Sequence, residues 1–145
     1  MSERKTLLLL AAALFAPVVG AADARSSLAE VPVADTKLVA PAAYSKASAL
    51  AARGGAALDI ALAIVGEFAG STQHIIQANE GSEAPLASHV TVVRDGLLDD
   101  SVRGERWDIV LERTSAGRWR ITEVKRAWRC WRGEPTDRFA TRLCP

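Results

Sequence analysis

The fold is decided by residues 105–131, which read ERWDIVLERTSAGRWRITEVKRAWRCW. In the first part of this stretch Trp107, Ile109 and Leu111 alternate with polar residues, a pattern typical of a strand with one buried face. The letters SAG at 115–117 favour a tight turn. The chain is therefore predicted to return along residues 118–131 and to form an antiparallel hairpin.

The second strand of this hairpin changes parity partway along. Trp119 and Ile121 fall on one side of a regular strand, whereas Val124, Trp128 and Cys130 fall on the other. One extra residue at 122–123 would bring both sets to the same face. The pattern therefore predicts a β-bulge at this point.

Two helical segments are predicted upstream of the hairpin. Residues 42–53 are rich in alanine and contain no glycine or proline, which favours a helix until Gly54-Gly55 breaks or weakens it. From 56 to 68 the apolar residues recur at steps of three and four and so form one stripe, with Gly70 as the predicted stop. Residues 89–93 predict a strand. We expect residues 71–87 to be irregular, with His74-Ile75-Ile76 as a short strand or a last helical turn.

The predicted fold class is α+β. An N-terminal helix or helix pair packs on a curved antiparallel sheet of three to four strands, and a disulfide closes the C-terminal end. Residues 42–145 are expected to form this single domain, and residues 22–41, which are polar and contain proline, a flexible lead-in.

Residues 1–21 have the features of a cleavable secretory signal. Arg4 and Lys5 precede an apolar run from Leu7 to Phe15, and small residues follow Pro17. An uncleaved membrane anchor is the alternative, but spanning a bilayer takes about 20 apolar residues. We expect a periplasmic or secreted protein with no membrane span after cleavage. Loss of Glu3, Arg4 and Lys5 would leave the net charge near zero, which argues against a protein that coats nucleic acid.

Cys130 and Cys144 are the two cysteines of the chain. An even number of cysteines in an exported protein most simply indicates a disulfide. Closing a loop of about 15 residues contributes about 3 kcal/mol. A redox pair favours two residues between the cysteines, and a zinc site needs further ligands nearby, so a structural bond is expected.

The strongest candidate for a binding surface is a run of basic and aromatic residues. It has two interpretations. The exposed members could bind an envelope protein or an anionic polymer, since guanidinium groups pair with phosphates or carboxylates. Alternatively, the tryptophans fill the core while the arginines pair with acids across the strands, which strand alternation favours. The residues assigned to the surface are Arg118, Arg120, Arg126, Arg129, Trp131 and Arg132.

No catalytic residues, metal ligands or cofactors are predicted. The acids Asp95, Asp99, Asp100 and Glu105 lack the spacing of a calcium loop, and aspartate commonly caps turns. His74 and His89 have no nucleophile motif beside them.

The stretch RDGLLDDSVRGERW at 94–107, followed by GRWRI at 117–121, WRC at 128–130 and Cys144, resembles a set of small exported proteobacterial proteins. That resemblance implies export and the disulfide, and it carries no catalytic residues. The order of helices and sheet is also similar to the cystatin-like and NTF2-like folds, which include both enzymes and binding modules. We therefore expect a non-catalytic binding or structural module of the cell envelope, with a small NTF2-like enzyme as the alternative.

Overall fold

A computed structural model describes residues 28–81 and 83–145, so the predicted signal peptide and the first part of the lead-in lie outside the described residues. The elements are two short 3-10 turns, Leu28–Glu30 and Pro41–Tyr44, two helices and five strands. The helices are α1 (Ser45–Ala52) and α2 (Ala57–Val65); the strands are β1 (Lys37–Leu38), β2 (Thr72–Glu80), β3 (Ala87–Asp95), β4 (Val102–Arg113) and β5 (Trp119–Cys130).

The five strands form one antiparallel sheet in the order β1-β5-β4-β3-β2. The α+β class and the hairpin are confirmed, but the predicted number of three to four strands is wrong. The irregular segment predicted at 71–87 contains the nine-residue strand β2 instead. The helices also lie between β1 and β2 along the chain, so they are not N-terminal to the whole sheet.

The predicted bulge is present in β5. Val110 faces Glu123, but the next residue of β4, Leu111, faces Ile121, which leaves Thr122 as the extra residue. As a result, Trp119 and Ile121 pack into the same core as Val124. The bulge therefore allows a strand of mixed parity to bury one continuous face.

The front face of the sheet carries the main core, where α1 and α2 pack on β3, β4 and β5. Buried alanines let the helices approach the sheet closely, and larger side chains of the strands fill the space between them. The core residues contributed by the helices include Ala47, Ala51, Ile60 and Ala61, and those from the sheet include Val90, Val92, Trp107, Ile109 and Leu111.

Gly54 ends α1. It adopts the left-handed conformation at φ 86°, its N–H donates to the carbonyl of Ala51, and the N–H of Gly55 donates to that of Leu50. This pair of bonds is a Schellman motif. The Gly54-Gly55 pair therefore breaks the helix.

The second helix ends earlier than predicted. Gly66, rather than Gly70, follows it in the left-handed region, and its N–H donates to the carbonyl of Leu62. Arg94 on β3 then binds the next carbonyls, as described below. The predicted end at Phe68 is wrong because residues 66–70 leave the helix to reach β2.

The back of the sheet is partly covered by the first described residues and by the segment that follows β5. Leu28, Val93, Ala127 and Phe139 form a second apolar cluster there. Residues 28–39, predicted as flexible lead-in, are instead packed and hydrogen-bonded: the Ala34 N–H donates to the Phe139 carbonyl at 2.8 Å. Backbone bonds of this kind recur along the segment, so the described part of the lead-in belongs to the folded domain.

The disulfide between Cys130 and Cys144 is present, with a Cα–Cα distance of 5.4 Å. It joins the end of β5 to the last residues of the chain. Within the described residues, no helix is long and apolar enough to cross a membrane.

Candidate ligand-binding cleft

A cleft with a volume of about 460 Å³ lies between α1 and the end of the β4–β5 hairpin. One wall is formed by Ser48, Ala51 and Ala52 of the helix, and the opposite wall by Thr114 and Ala116 of the turn. The remaining lining residues are Arg118, Trp119, Arg120 and Ile121. Most of the exposed lining is therefore apolar, and two arginine side chains contribute to it.

Small side chains on α1 leave this space open. Ala51 is almost fully buried and Ala52 is exposed, so neither reaches across to the hairpin. Trp119 lies at the base, where the Arg113 guanidinium stacks on its ring at 4.0 Å from the centroid. Such a stacked cation holds a tryptophan ring in place and adds about 0.5–1 kcal/mol at an exposed site. The apolar floor is thus preformed.

Arg118 is the cation best placed to recognise a ligand. It lies in the exposed turn that borders the cleft, where its backbone N–H donates to the Thr114 hydroxyl at 3.2 Å. Among residues 28–81 and 83–145, no carboxylate lies within ion-pair distance of its guanidinium group. Arg120 differs, because its guanidinium binds Glu112 at 3.1 Å. Arg118 therefore has all of its side-chain donors free for an anion.

The lining contains no acid or base suited to catalysis. It has no histidine, carboxylate or cysteine, and the Ser48 hydroxyl donates to the carbonyl of Tyr44 at 3.3 Å. Proton transfer near neutral pH requires a group that titrates in that range. The lining offers carbon surface together with the side chains of Arg118 and Arg120.

The predicted Arg/Trp surface does not form one surface. Arg126 lies beside the front-face tryptophans, with its guanidinium 4.6 Å from the Trp107 ring, whereas Arg120 pairs with Glu112 across the hairpin. Arg129 is only 7% exposed, because it forms a 2.7 Å ion pair with Asp95, so it is not part of a solvent-facing surface. Trp131 and Arg132 are exposed but follow the end of β5. Strand alternation and the length of β5 separate these groups.

Two carboxylates hold these arginines in structural networks. The carboxylate of Glu105 is buried and forms ion pairs with Arg94, at an N···O distance of 3.2 Å, and with Arg126, at 2.8 Å. The carboxylate of Asp95 forms ion pairs with Arg129 and, at 3.3 Å, with Arg103. A buried charge with such partners contributes to the shape of the fold, and its removal is costly. Two of the four acids singled out in the sequence, Asp95 and Glu105, therefore neutralise neighbouring arginines.

Arg94 is a residue whose role sequence analysis missed. Its Nη1 donates to the carbonyls of Val65 and Glu67, and its Nη2 donates to Gly66 at 2.6 Å. A cation at the C-terminus of a helix satisfies free carbonyls and the helix dipole. A lone arginine at the end of a strand gives no signal of this contact, because its partners precede it by 27–29 residues.

Asp99 has the turn role that aspartate commonly takes. Its carboxylate accepts the N–H of Ser101 at 2.8 Å and that of Val102 at 2.6 Å. These bonds, that from Val102 first, hold the pKa of Asp99 below its usual range. Among the described residues, no group of three or more histidine, cysteine or acidic side chains could hold a metal ion.

The two histidines lie away from the cleft. His74 pairs with Val93 and His89 with Val110, on the face opposite the helices. His89 Nε2 lies 3.0 Å from Glu80 Oε1 in an exposed pair. A helix–sheet pocket lined by either histidine is therefore not what the described structure contains.

The fold and cleft define the chain as an α+β domain with a five-stranded antiparallel sheet and one disulfide. No protein-family model matches it, and neither the curated proteins nor the solved structures provide a match.

Proposed function

We propose that this protein is an exported, non-catalytic binding module of the cell envelope, and that the cleft between α1 and the β4–β5 hairpin binds an anionic amphiphile. Such a ligand has an apolar body and a carboxylate, sulfonate or phosphate head. The observation that supports this best is the free guanidinium of Arg118 beside an apolar floor.

The ligand class follows from the two parts of the cleft. Trp119 and Ile121 offer carbon surface, and burying apolar area is worth about 25 cal/mol per Å². Arg118 offers up to two parallel hydrogen bonds to two oxygens of the anionic head. A neutral apolar compound would use only the first part, and an inorganic anion only the second.

The disulfide indicates a compartment other than the cytoplasm, because such bonds persist under oxidising conditions. Location in the periplasm or outside the cell extends this inference and rests on the signal-like residues 1–21. Amphiphilic anions are components and products of envelope lipids, which is consistent with a binding role in that compartment.

The test measures binding of dodecanoate by calorimetry, with dodecanol and dodecyltrimethylammonium as uncharged and cationic probes. We expect dodecanoate to bind tightest. Arg118→Gln should weaken dodecanoate binding by about five- to tenfold, equivalent to about 1 kcal/mol for an exposed charged hydrogen bond, and should leave dodecanol unchanged.

Two further variants sharpen the result. Ala52→Phe fills the cleft and should weaken every probe that binds there. Arg132→Gln removes the same charge from an exposed position outside the cleft and should have no effect. Equal losses in Arg118→Gln and Arg132→Gln, or equal affinity for the anionic and cationic probes, would contradict the proposed ligand class.

A further inference from the structure

Strand β2 forms an open edge of the sheet. Its nine residues pair with β3 on one side, from Thr72 opposite Asp95 to Glu80 opposite Ala87, and in the described part of the chain no strand lies on its other side. Residues 75–80 are all exposed. The strand thus presents a row of backbone donors and acceptors to solvent.

The usual protections of such an edge are missing from β2. Its sequence, TQHIIQANE, contains no lysine, arginine or proline, and its register with β3 has no bulge. Natural edge strands of this length commonly carry these features, which prevent pairing with another chain. The opposite edge is different, since β1 has two residues, one of which is Lys37.

We propose that β2 pairs antiparallel with β2 of a second copy of this chain, about a two-fold axis at Gln77. The pairing joins the two sheets into one of ten strands. In a two-fold antiparallel pair, residues whose numbers sum to 154 face each other. Each residue then stays on the same face as its counterpart.

The pairing of an imidazole with a carboxylate favours this register. His74 and Glu80 are the two ionisable side chains of β2, and the proposed axis places His74 opposite Glu80 of the second copy, twice by symmetry. Opposite groups in facing positions stabilise a strand pair, whereas like charges destabilise it. In its own chain Glu80 already contacts His89 through Oε1, which leaves Oε2 free for His74 of the other copy.

Exposed apolar side chains meet in the same arrangement. Ile76, 47% exposed, faces Ala78 of the second copy, and the symmetric pair lies beside it. The pairing therefore covers part of an isoleucine side chain that is otherwise exposed to water.

The backbone contribution is substantial. An overlap of residues 74–80 with themselves allows about six to eight inter-strand hydrogen bonds, depending on which alternate residues point outward. The edge lies at the far side of the sheet from β5, whose first residues line the ligand-binding cleft. Dimerisation and ligand binding can therefore fail independently.

Sedimentation velocity of the purified protein, from micromolar to about millimolar concentration, measures the association. We expect a monomer–dimer equilibrium. Ile76→Lys should weaken it by at least tenfold, because the two lysines would lie beside each other in the pair. The matched control Leu38→Lys places the same charge on an exposed position of β1, at the other edge, and should leave dimerisation unchanged. Circular dichroism verifies that both variants are folded.

Disulfide trapping tests the register. Cys residues in Gln77→Cys would face each other at about 4.5–5.5 Å between Cα atoms, within the range of a disulfide. In Asn79→Cys they would be about 14 Å apart, because Asn79 faces Ile75 of the second copy. Selective dimer formation by Gln77→Cys supports the proposal. Three results would overturn it: a protein that stays monomeric at every concentration, a dimer that Ile76→Lys does not weaken, or equal trapping at positions 77 and 79. In the first case the edge of β2 would bind a partner other than a second copy of this chain.

Discussion

Replacing Arg94 with methionine tests the inference that this side chain connects α2 to the sheet. The guanidinium group makes five hydrogen bonds. Three go to the carbonyls of Val65, Gly66 and Glu67 after the helix, one to Gln73 at 2.7 Å and one to Glu105. Methionine fills similar space without donors, so these carbonyls lose their partner in a region that is largely closed to water.

We estimate the cost from the buried ion pair. Removing one member of such a pair typically costs about 3–5 kcal/mol, mainly through the uncompensated charge that remains. Here Glu105 keeps Arg126 at 2.8 Å, so the cost comes chiefly from the stranded carbonyls, at about 1–3 kcal/mol for each unsatisfied group. Partial access of water reduces the sum, and we expect about 3–4 kcal/mol in total. A domain of ordinary stability, about 5–15 kcal/mol, would lose a large share of it.

The assay is urea unfolding combined with hydrogen exchange. Arg94→Met should lower the midpoint and should accelerate exchange in the last turn of α2 before that in β4. Arg106→Met is the matched control, since Arg106 pairs with Asp108 on the back face of the same sheet, where both side chains are partly exposed. Its expected cost is about 1 kcal/mol or less. If the two variants lost equal stability, or if exchange in α2 were unchanged, Arg94 would not have the capping role.

Three other perturbations have defined outcomes. Cys130→Ser should raise the exchange rates of residues 131–145 more than those of β4, and earlier melting of β4 would refute this. Deletion of Thr122 should leave a folded protein, because removing the extra residue of the bulge gives a regular strand that keeps Trp119 and Ile121 on the same face as Val124. Thr122→Gly should also fold, with a loss of about 1 kcal/mol. A deletion variant that is unfolded by circular dichroism would contradict the bulge assignment. Asp99→Ala should lower the stability of the protein at neutral pH. The difference in stability between the two proteins should disappear as the pH falls below 3.8, because the pKa of Asp99 is lowered in the folded state and protonation then removes the carboxylate's hydrogen bonds. Thermal melts that show a constant difference across that pH range would contradict this role.

The hairpin was predictable because its pattern is dictated by burial. Trp107, Ile109 and Leu111 alternate since one face of β4 is dry, and the parity change in β5 has one economical solution, the bulge at Thr122. The disulfide was predictable from cysteine number and context. These features depend on residues close in sequence or on simple counting.

Strand β2 was not predictable by the same signal. Neither face of its second half is buried, so Gln77, Ala78 and Asn79 show no alternation of apolar and polar residues. The helix end was also missed, because the carbonyls that Arg94 binds lie far from it in sequence. The candidate cleft depends on where α1 rests against Trp119, a tertiary arrangement that local patterns do not encode.

Two members of the sequence-predicted surface, Arg118 and Arg120, line the cleft, while Arg126 and Arg129 are engaged with acids. The composition of residues 118–132 indicated their charge, but it did not indicate where each side chain points. Partner acids on neighbouring strands decide which arginine is available, and those partners follow from the register of β3, β4 and β5.

The most direct measurement of the binding proposal is an NMR titration of the labelled protein with dodecanoate. We expect saturable shifts centred on Ala51, Ala52, Trp119 and Ile121, with the same shifts weakened by about five- to tenfold in Arg118→Gln and unaltered in Arg132→Gln. Shifts centred outside this cleft, or shifts that do not depend on Arg118, would contradict the assignment of the cleft as a site for anionic amphiphiles.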